Sequence, residues 1–432
     1  MSPMHNTACF FRQQPNSQQE LQGLKNGQCY IQGYLSNAQQ LSTELKIDSG
    51  DEQALLNAAV RQWGSELNRR LCGDYLLIYL SDEQLLLTSS ARSSFTAFYS
   101  IEGQPNEKQP GLTLATELKQ LTDLTQTSLK SSHLLELLAF GPLAGSNTCF
   151  EQISQLQAGE TLIWQLQQEI SLSHQSRLTD AEQLEIARRN KIPAGEVLAP
   201  REMDDLDLTK LFNQLPSLAH RLGEPVANAA LAHFDSQVKA AGSDTLILDI
   251  SWLNARNTPA EEGKKNLWCK SILKPALLAQ RQKLQQRRQE LVSVFKSAQD
   301  PHSEFLTFGQ WLDLHYLIPA WCQLLQRICQ LHGKTLINPF MQPEQLLPLV
   351  KKAQPSLPAY FSLQQISLAN IYDAMQRLFY TGESGTRDLF DLNPLSTARL
   401  LRKTERRRME SLAVQVLTLD YLLRFHPESF AR

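Results

Sequence analysis

The chain has 432 residues, 42% apolar and 20% charged, a composition that suits a soluble globular protein and a length that suits two cores rather than one. A formal net charge of −2 argues against a protein built to neutralise phosphates, so nucleic acid is not the expected partner. Seven cysteines without a CxxC pair read as free thiols in a reducing cytoplasm, and no segment has the apolar length of a membrane span or the pattern of a signal peptide.

Up to about Ser171 the chain is strand-rich. Strands are expected near Gln28–Tyr34, Tyr75–Leu80, Leu85–Ser89, Thr113–Ala115 and Thr161–Leu166, set apart by Gly, Asn, Asp and Pro. The clearest stretch is Gly73 to Tyr99. Its apolar residues alternate through Tyr75, Leu77 and Tyr79 and again at Leu85 and Leu87, with the polar Ser81-Asp82-Glu83-Gln84 between them. This is the pattern of a buried hairpin.

From Asp180 the period becomes helical, at Glu182–Arg188, Leu208–Leu222 and Asn228–Ala240. Thr245–Ile250 is a compact apolar run that reads as one buried strand, and helices dominate after it. The change near Ser173–Asp180 marks the expected boundary between domains at 1–172 and 180–432. Leucine and aromatic stripes at Leu277–Phe295, Leu314–Ile328 and Leu412–Leu423 read as helix faces that pack into a core. The basic run Lys403–Arg408 reads as solvated surface. His315 and His332, near Trp321, read as satisfied or edge positions, and His220 with Glu224 as a surface pair at helical spacing.

Read in order, GDYLLIYLSDEQLLLTSSARSSFTAFY, LATELKQL and LLELLAFGPLAGSNTCFEQISQLQAGETL resemble the N-terminal, glutaminase-type domain of asparagine synthetase-like proteins. The matching positions are Gly73, Arg92, Phe98-Tyr99, Thr116-Glu117-Leu118-Lys119, Gly141, Thr148, Phe150 and Ala158-Gly159. The second half is similar more faintly, at Arg221 to Phe234, at the strand TLILDI and at Gly333 to Val350. There Pro339-Phe340 is kept and Met341-Gln342 replaces a Leu-Asp. The ending Leu417 to Pro427 resembles the close of the members that cyclise lasso peptides. The resemblance implies an α+β N-terminal domain, an αββα sandwich of antiparallel sheets, followed by a mainly helical, trimmed α/β synthetase-like domain.

The chemistry that the resemblance implies is not matched by the residues present. A glutaminase of this type needs a cysteine at the processed N-terminus, with its own α-amine as base. Here position 2 is Ser2, and Cys9, the nearest thiol, follows seven residues of chain. ATP activation in the family uses a Ser-Gly-Gly-x-Asp-Ser loop after a strand to hold pyrophosphate, and that motif is absent from the sequence. Ser384-Gly385-Thr386-Arg387-Asp388 is similar but follows no apolar strand. After TLILDI the family places a Ser-Gly-x-Gly-x-Asp-Glu run. This chain has Asp249-Ile250-Ser251-Trp252-Leu253-Asn254, without either glycine. Asp249, Ser251 and Asn254 are the candidate pocket residues at that strand end, beside their plainer reading as turn and capping groups. No HExxH, P-loop, GxSxG or metal-spaced His/Cys cluster is present.

Two readings follow. The first is a pseudoenzyme with no catalytic residue, metal or cofactor, which binds a precursor peptide or an active synthetase-like paralogue in a pathway that forms amide bonds. The second is an ATP- and magnesium-dependent amide ligase or peptide cyclase with a rebuilt nucleotide site. A homo-oligomer built through the aromatic and leucine stripes is a third, plainer expectation.

Overall fold

The computed structural model describes residues 10–13, 19–48, 50–102, 111–124, 127–130, 145–165, 173–174, 188–199, 208–226, 230–249 and 311–341, with single positions and pairs between them. Within these the chain is α+β. The stripes at Leu277–Phe295 and Leu412–Leu423, the basic run, Ser384–Asp388, Gly141, Cys9 and Cys269 lie outside them.

Ten strands form two antiparallel sheets. One sheet runs β2 (Gln19–Gln22), β1 (Phe10–Gln13), β7 (Gly111–Ala115), β6 (Phe98–Glu102) and β8 (Ser154–Gln155). The other runs β10 (Ser173–His174), β9 (Thr161–Gln165), β5 (Gln84–Ser89), β4 (Gly73–Leu80) and β3 (Cys29–Leu35). The expected hairpin is β4–β5, paired Leu76↔Ser89 to Leu80↔Leu85. Ser81 closes its turn by donating its N–H to the Gln84 carbonyl at 2.9 Å.

The hairpin's alternation differs from the sequence expectation. Every residue of β4 is buried, because the strand has apolar layers on both faces. Leu76, Ile78 and Leu80 meet Leu85, Leu87, Phe11, Leu112 and Leu114 between the sheets. Tyr75, Leu77 and Tyr79 point the other way with Leu86, under the helices α1 (Ala38–Leu45) and α2 (Glu52–Trp63). Leu85 and Leu87 therefore lie on the face opposite to Tyr75, Leu77 and Tyr79. A strand with two buried faces loses the polar half of its period.

Register here is fixed by Asp74, which shares a face with Leu76. A slip of one residue would carry its carboxylate into the helix-facing apolar layer. Two glycines let β3 and β4 approach at this point. A Cβ on Gly33 would stand 2.0 Å from the Asp74 carbonyl oxygen, and one on Gly73 would stand 2.1 Å from that of Tyr34. Both glycines hold positive φ, +99° and +139°.

On the outer face, Asp51 caps α2 by accepting the Ala54 N–H at 2.9 Å, and Leu55, Leu56, Ala59 and Val60 form its buried stripe. On the opposite sheet, α3 (Leu118–Leu124) packs on β6 and β7.

The second half begins with a three-stranded parallel sheet, β11 (Glu196–Leu198), β12 (Thr245–Leu248) and β13 (Thr335–Ile337), with β12 in the middle. Helices α4 (Leu208–Leu222) and α5 (Ala230–Ala240) connect β11 to β12 in sequence, and α6 (Ile318–Gln330) precedes β13. Residues Ile318 to Gln326, Ile328 and Cys329 of α6 are all buried. Among the described residues α6 packs on β13 and α5, and its Arg327 lies over the Phe98 ring of the sandwich.

Candidate functional site

The only one of the three sequence-predicted pocket residues within the described structure is Asp249. It follows β12 at the C-terminal edge of the parallel sheet, the edge where open α/β sheets bind ligands, and its N–H donates to the Leu198 carbonyl at 3.2 Å. Ser251 and Asn254 lie outside the described residues. The neighbouring strand end is turned to another use. Asn338, fully buried after β13, donates Nδ2 to the Arg92 carbonyl at 3.0 Å and accepts the Phe340 N–H at 2.9 Å. Both ends of its amide make hydrogen bonds within the protein. Asn338 thus ties the turn at Arg92 to the short 3₁₀ segment Pro339–Met341.

A second contact joins the units at α6. Arg327 donates to Glu224 Oε1 at 2.5 Å and to the Leu222 carbonyl at 2.6 Å, and its guanidinium carbon stands 4.9 Å from the centroid of the Phe98 ring. Both ionic side chains are mostly buried, at 12% and 14% exposure. The sequence pairs Glu224 with His220, but Gly223 takes positive φ after Leu222 and turns the next residue away from the helix axis. A side chain there is also excluded, since its Cβ would lie 2.6 Å from Lys119 Cα. Glu224 therefore reaches Arg327, and His220 is exposed. Beside this ion pair, between Thr96, Gln155, Trp321 and Gln323, remains a cavity of about 30 Å³, the room of a single water molecule.

The third polar cluster was not expected from the sequence. Asp74 is wholly buried and its carboxylate accepts from the Ser94 N–H at 2.9 Å and from the hydroxyls of Ser94, Ser93 and Ser90 at 2.5, 3.3 and 3.5 Å. Burial raises its pKa to about 6 against the opposing pull of these hydrogen bonds. The buried phenol of Tyr34 and the thiol of Cys322 on α6 both feel its charge. The signal available in the sequence was the pair of serine doublets flanking Ala91-Arg92, on the turn that must pass the start of β4.

Five cysteines fall within the described residues, Cys29, Cys72, Cys149, Cys322 and Cys329, and all are buried thiols outside any disulfide. Burial pushes the Cys29 thiol up to about 12, and those of Cys149, Cys322 and Cys329 well above the ordinary range. These four are packing groups rather than thiolate nucleophiles. His332 Nε2 lies 2.8 Å from Asp235 Oδ1, whose other oxygen takes Arg221 Nη2 at 2.9 Å, and the His315 ring centroid lies 5.3 Å from that of Trp311. Among the described residues no group of three or more His, Cys, Asp or Glu side chains could hold a metal ion, and no helix is long and apolar enough to cross a membrane.

No family model matches the chain, and none of the curated proteins does. Among solved structures, it is similar to glutamine phosphoribosylpyrophosphate amidotransferase from B. subtilis complexed with ADP and GMP. The identity is 11%, 42% of this chain and 47% of that chain are covered, and the TM-score is 0.22. The chain thus spans about half the length of that enzyme. A likeness of this degree is distant and bears on neither site nor substrate.

Proposed function

We propose that the chain is a degenerate asparagine synthetase-like protein, with a glutamine amidotransferase-like sandwich and a reduced synthetase-like unit. It binds a precursor peptide or an active synthetase-like partner in amide-bond-forming metabolism, and performs no catalysis itself. The observation that supports this most is Asn338. The end of a parallel strand, where a nucleotide-binding sheet would present groups to its ligand, is instead hydrogen-bonded to the sandwich at Arg92. The missing phosphate loops in the sequence point the same way.

Calorimetry with ATP and magnesium tests the loss of activity, with no heat of binding expected. A pull-down tests the role, and recovery of neither a small peptide nor a synthetase-like protein would count against it.

The second reading is an ATP-dependent amide ligase or peptide cyclase. It is favoured by Asp249, a carboxylate at the end of the middle parallel strand. Micromolar ATP binding, with pyrophosphate release when a peptide is added, would establish it in place of the first.

A further inference from the structure

Gln323 on α6 is 5% exposed, and its side-chain Nε2 has no hydrogen-bond partner among the described residues. It lies one helical turn before Arg327 on the same face of α6. Both side chains line the cavity of about 30 Å³ beside the Arg327–Glu224 ion pair. A buried N–H without a partner has given up its water and gained nothing in return, so native proteins rarely leave one unanswered.

Three other polar residues of the lining carry acceptors. Thr96 donates its hydroxyl to the Leu156 carbonyl at 2.9 Å, which leaves the hydroxyl oxygen able to accept. Gln155 on β8 donates Nε2 to the Gly145 carbonyl at 2.8 Å, so its amide oxygen is its accepting end. Glu224 meets Arg327 through Oε1 and has a second carboxylate oxygen. Thr96 and Gln155 belong to the sandwich, whereas Glu224, Gln323 and Arg327 come from the second half of the chain. The cavity thus lies where the two halves meet, with one unanswered donor and three residues that can accept.

Volume and charge together select the occupant. The space suits one water-sized molecule. A cation would meet the Gln323 N–H and the Arg327 guanidinium, both donors, while an anion would meet Glu224 and the accepting oxygens. An apolar atom would leave Nε2 as it is. A small neutral molecule that both accepts and donates satisfies every group. We propose that this cavity is a binding site for one water molecule, which accepts from Gln323 Nε2 and donates across the junction to the sandwich at Thr96 or Gln155 and to Glu224. The water is then a structural link between α6 and the sandwich.

The test is a crystal structure of the full chain at a resolution that shows ordered water, beside that of its Gln323→Met variant. Methionine keeps the length of the side chain and removes its donor. In the wild type a density peak is expected within hydrogen-bond distance of the Gln323 amide and of an acceptor on the sandwich, Thr96 or Gln155. In the variant that peak should be lost. A wild-type crystal held under xenon gives an independent reading, because dry apolar cavities take up xenon and a hydrated polar one does not. No xenon is expected at this site. A wild-type map without the peak, a peak that survives unchanged in Gln323→Met, or xenon in the cavity would each overturn the inference. Should the variant not fold, the two wild-type crystals decide. The proposed function does not rest on this cavity, so it would stand whichever result is obtained.

Discussion

Asn338 Nδ2 donates to the Arg92 carbonyl at 3.0 Å, joining residues 246 apart in the chain. The same amide accepts the Phe340 N–H, so one side chain closes the strand end β13 onto the turn between β5 and β6. Replacing it removes both of these hydrogen bonds from a buried setting, where a lost bond costs about 1–3 kcal/mol. Asn338→Ala should therefore lower the unfolding free energy by about 2–4 kcal/mol, measured by urea denaturation. A loss below about 0.5 kcal/mol, the range of ordinary surface substitutions, would show that this contact does not hold the two units together.

Arg327 and Glu224 make the complementary contact at α6, at 12% and 14% exposure. Removing the arginine alone strands a mostly buried carboxylate and frees the Leu222 carbonyl. Arg327→Met should cost about 2–4 kcal/mol, while Arg327→Met/Glu224→Leu should cost less, since no charge is left unpaired. Arg327→Lys should not restore stability, because an ammonium cannot reproduce the two directed bonds and the stacking on Phe98. Thermal unfolding of Arg327→Met, Glu224→Leu, their double variant and Arg327→Lys measures this. A double variant whose loss equals the sum of the two single losses would mean that the pair is not coupled.

What could be read from the sequence depended on how local the cause was. Leu208–Leu222 runs as the helical period suggests, and the β4–β5 hairpin lies where its apolar runs predict, since both depend on neighbours a few residues away. Helix α2 is just as local in its cause, with Asp51 as its cap and Leu55, Leu56, Ala59 and Val60 at helical spacing. Strand β11 was not legible. It has three residues, with Glu196 and Val197 exposed, and it exists because β12 pairs with it from about fifty residues further on. The contacts at Arg92–Asn338 and Glu224–Arg327 have no sequence spacing to announce them, since the fold alone brings them together. The hydrogen bonds to Asp74 come from residues 16 to 20 positions away, across a hairpin, and no motif describes that arrangement.

The crossing of β3 and β4 gives a sharper test of the sandwich. At Gly33 and Gly73 an added methyl group would meet backbone oxygen at 2.0 and 2.1 Å, and neither strand can move without disturbing the layers on both faces. The left-handed side of the backbone map adds its own cost of about 1–2 kcal/mol for a residue with a Cβ. Gly33→Ala and Gly73→Ala should each cost at least about 3 kcal/mol or prevent soluble expression, with overpacking adding to the backbone strain. A soluble Gly73→Ala protein with wild-type stability would mean that the strands are not this close.

Asp74 predicts an unusual pH dependence. Its folded pKa is raised to about 6 from the ordinary 3.8, because burial penalises the carboxylate more than the serine hydrogen bonds favour it. The sign follows from proton counts. Between those two values the folded protein holds a proton that the unfolded chain has released, so stability contributed by this group falls as pH rises. Its contribution is complete below 3.8 and is lost by the time pH has passed 6, a change on the order of 3 kcal/mol. Asp74→Asn removes the titration and can keep both kinds of contact, accepting the Ser94 N–H and donating to the Ser94 hydroxyl. The Asn variant should therefore gain stability relative to wild type as pH rises from about 4 to 7, while the other titrating groups cancel in the difference. Urea unfolding of both proteins across this range measures it. A difference that stays flat with pH would show that Asp74 titrates normally in the fold. A difference of the opposite sign would show that its four hydrogen bonds outweigh the burial and hold the carboxylate in its charged form.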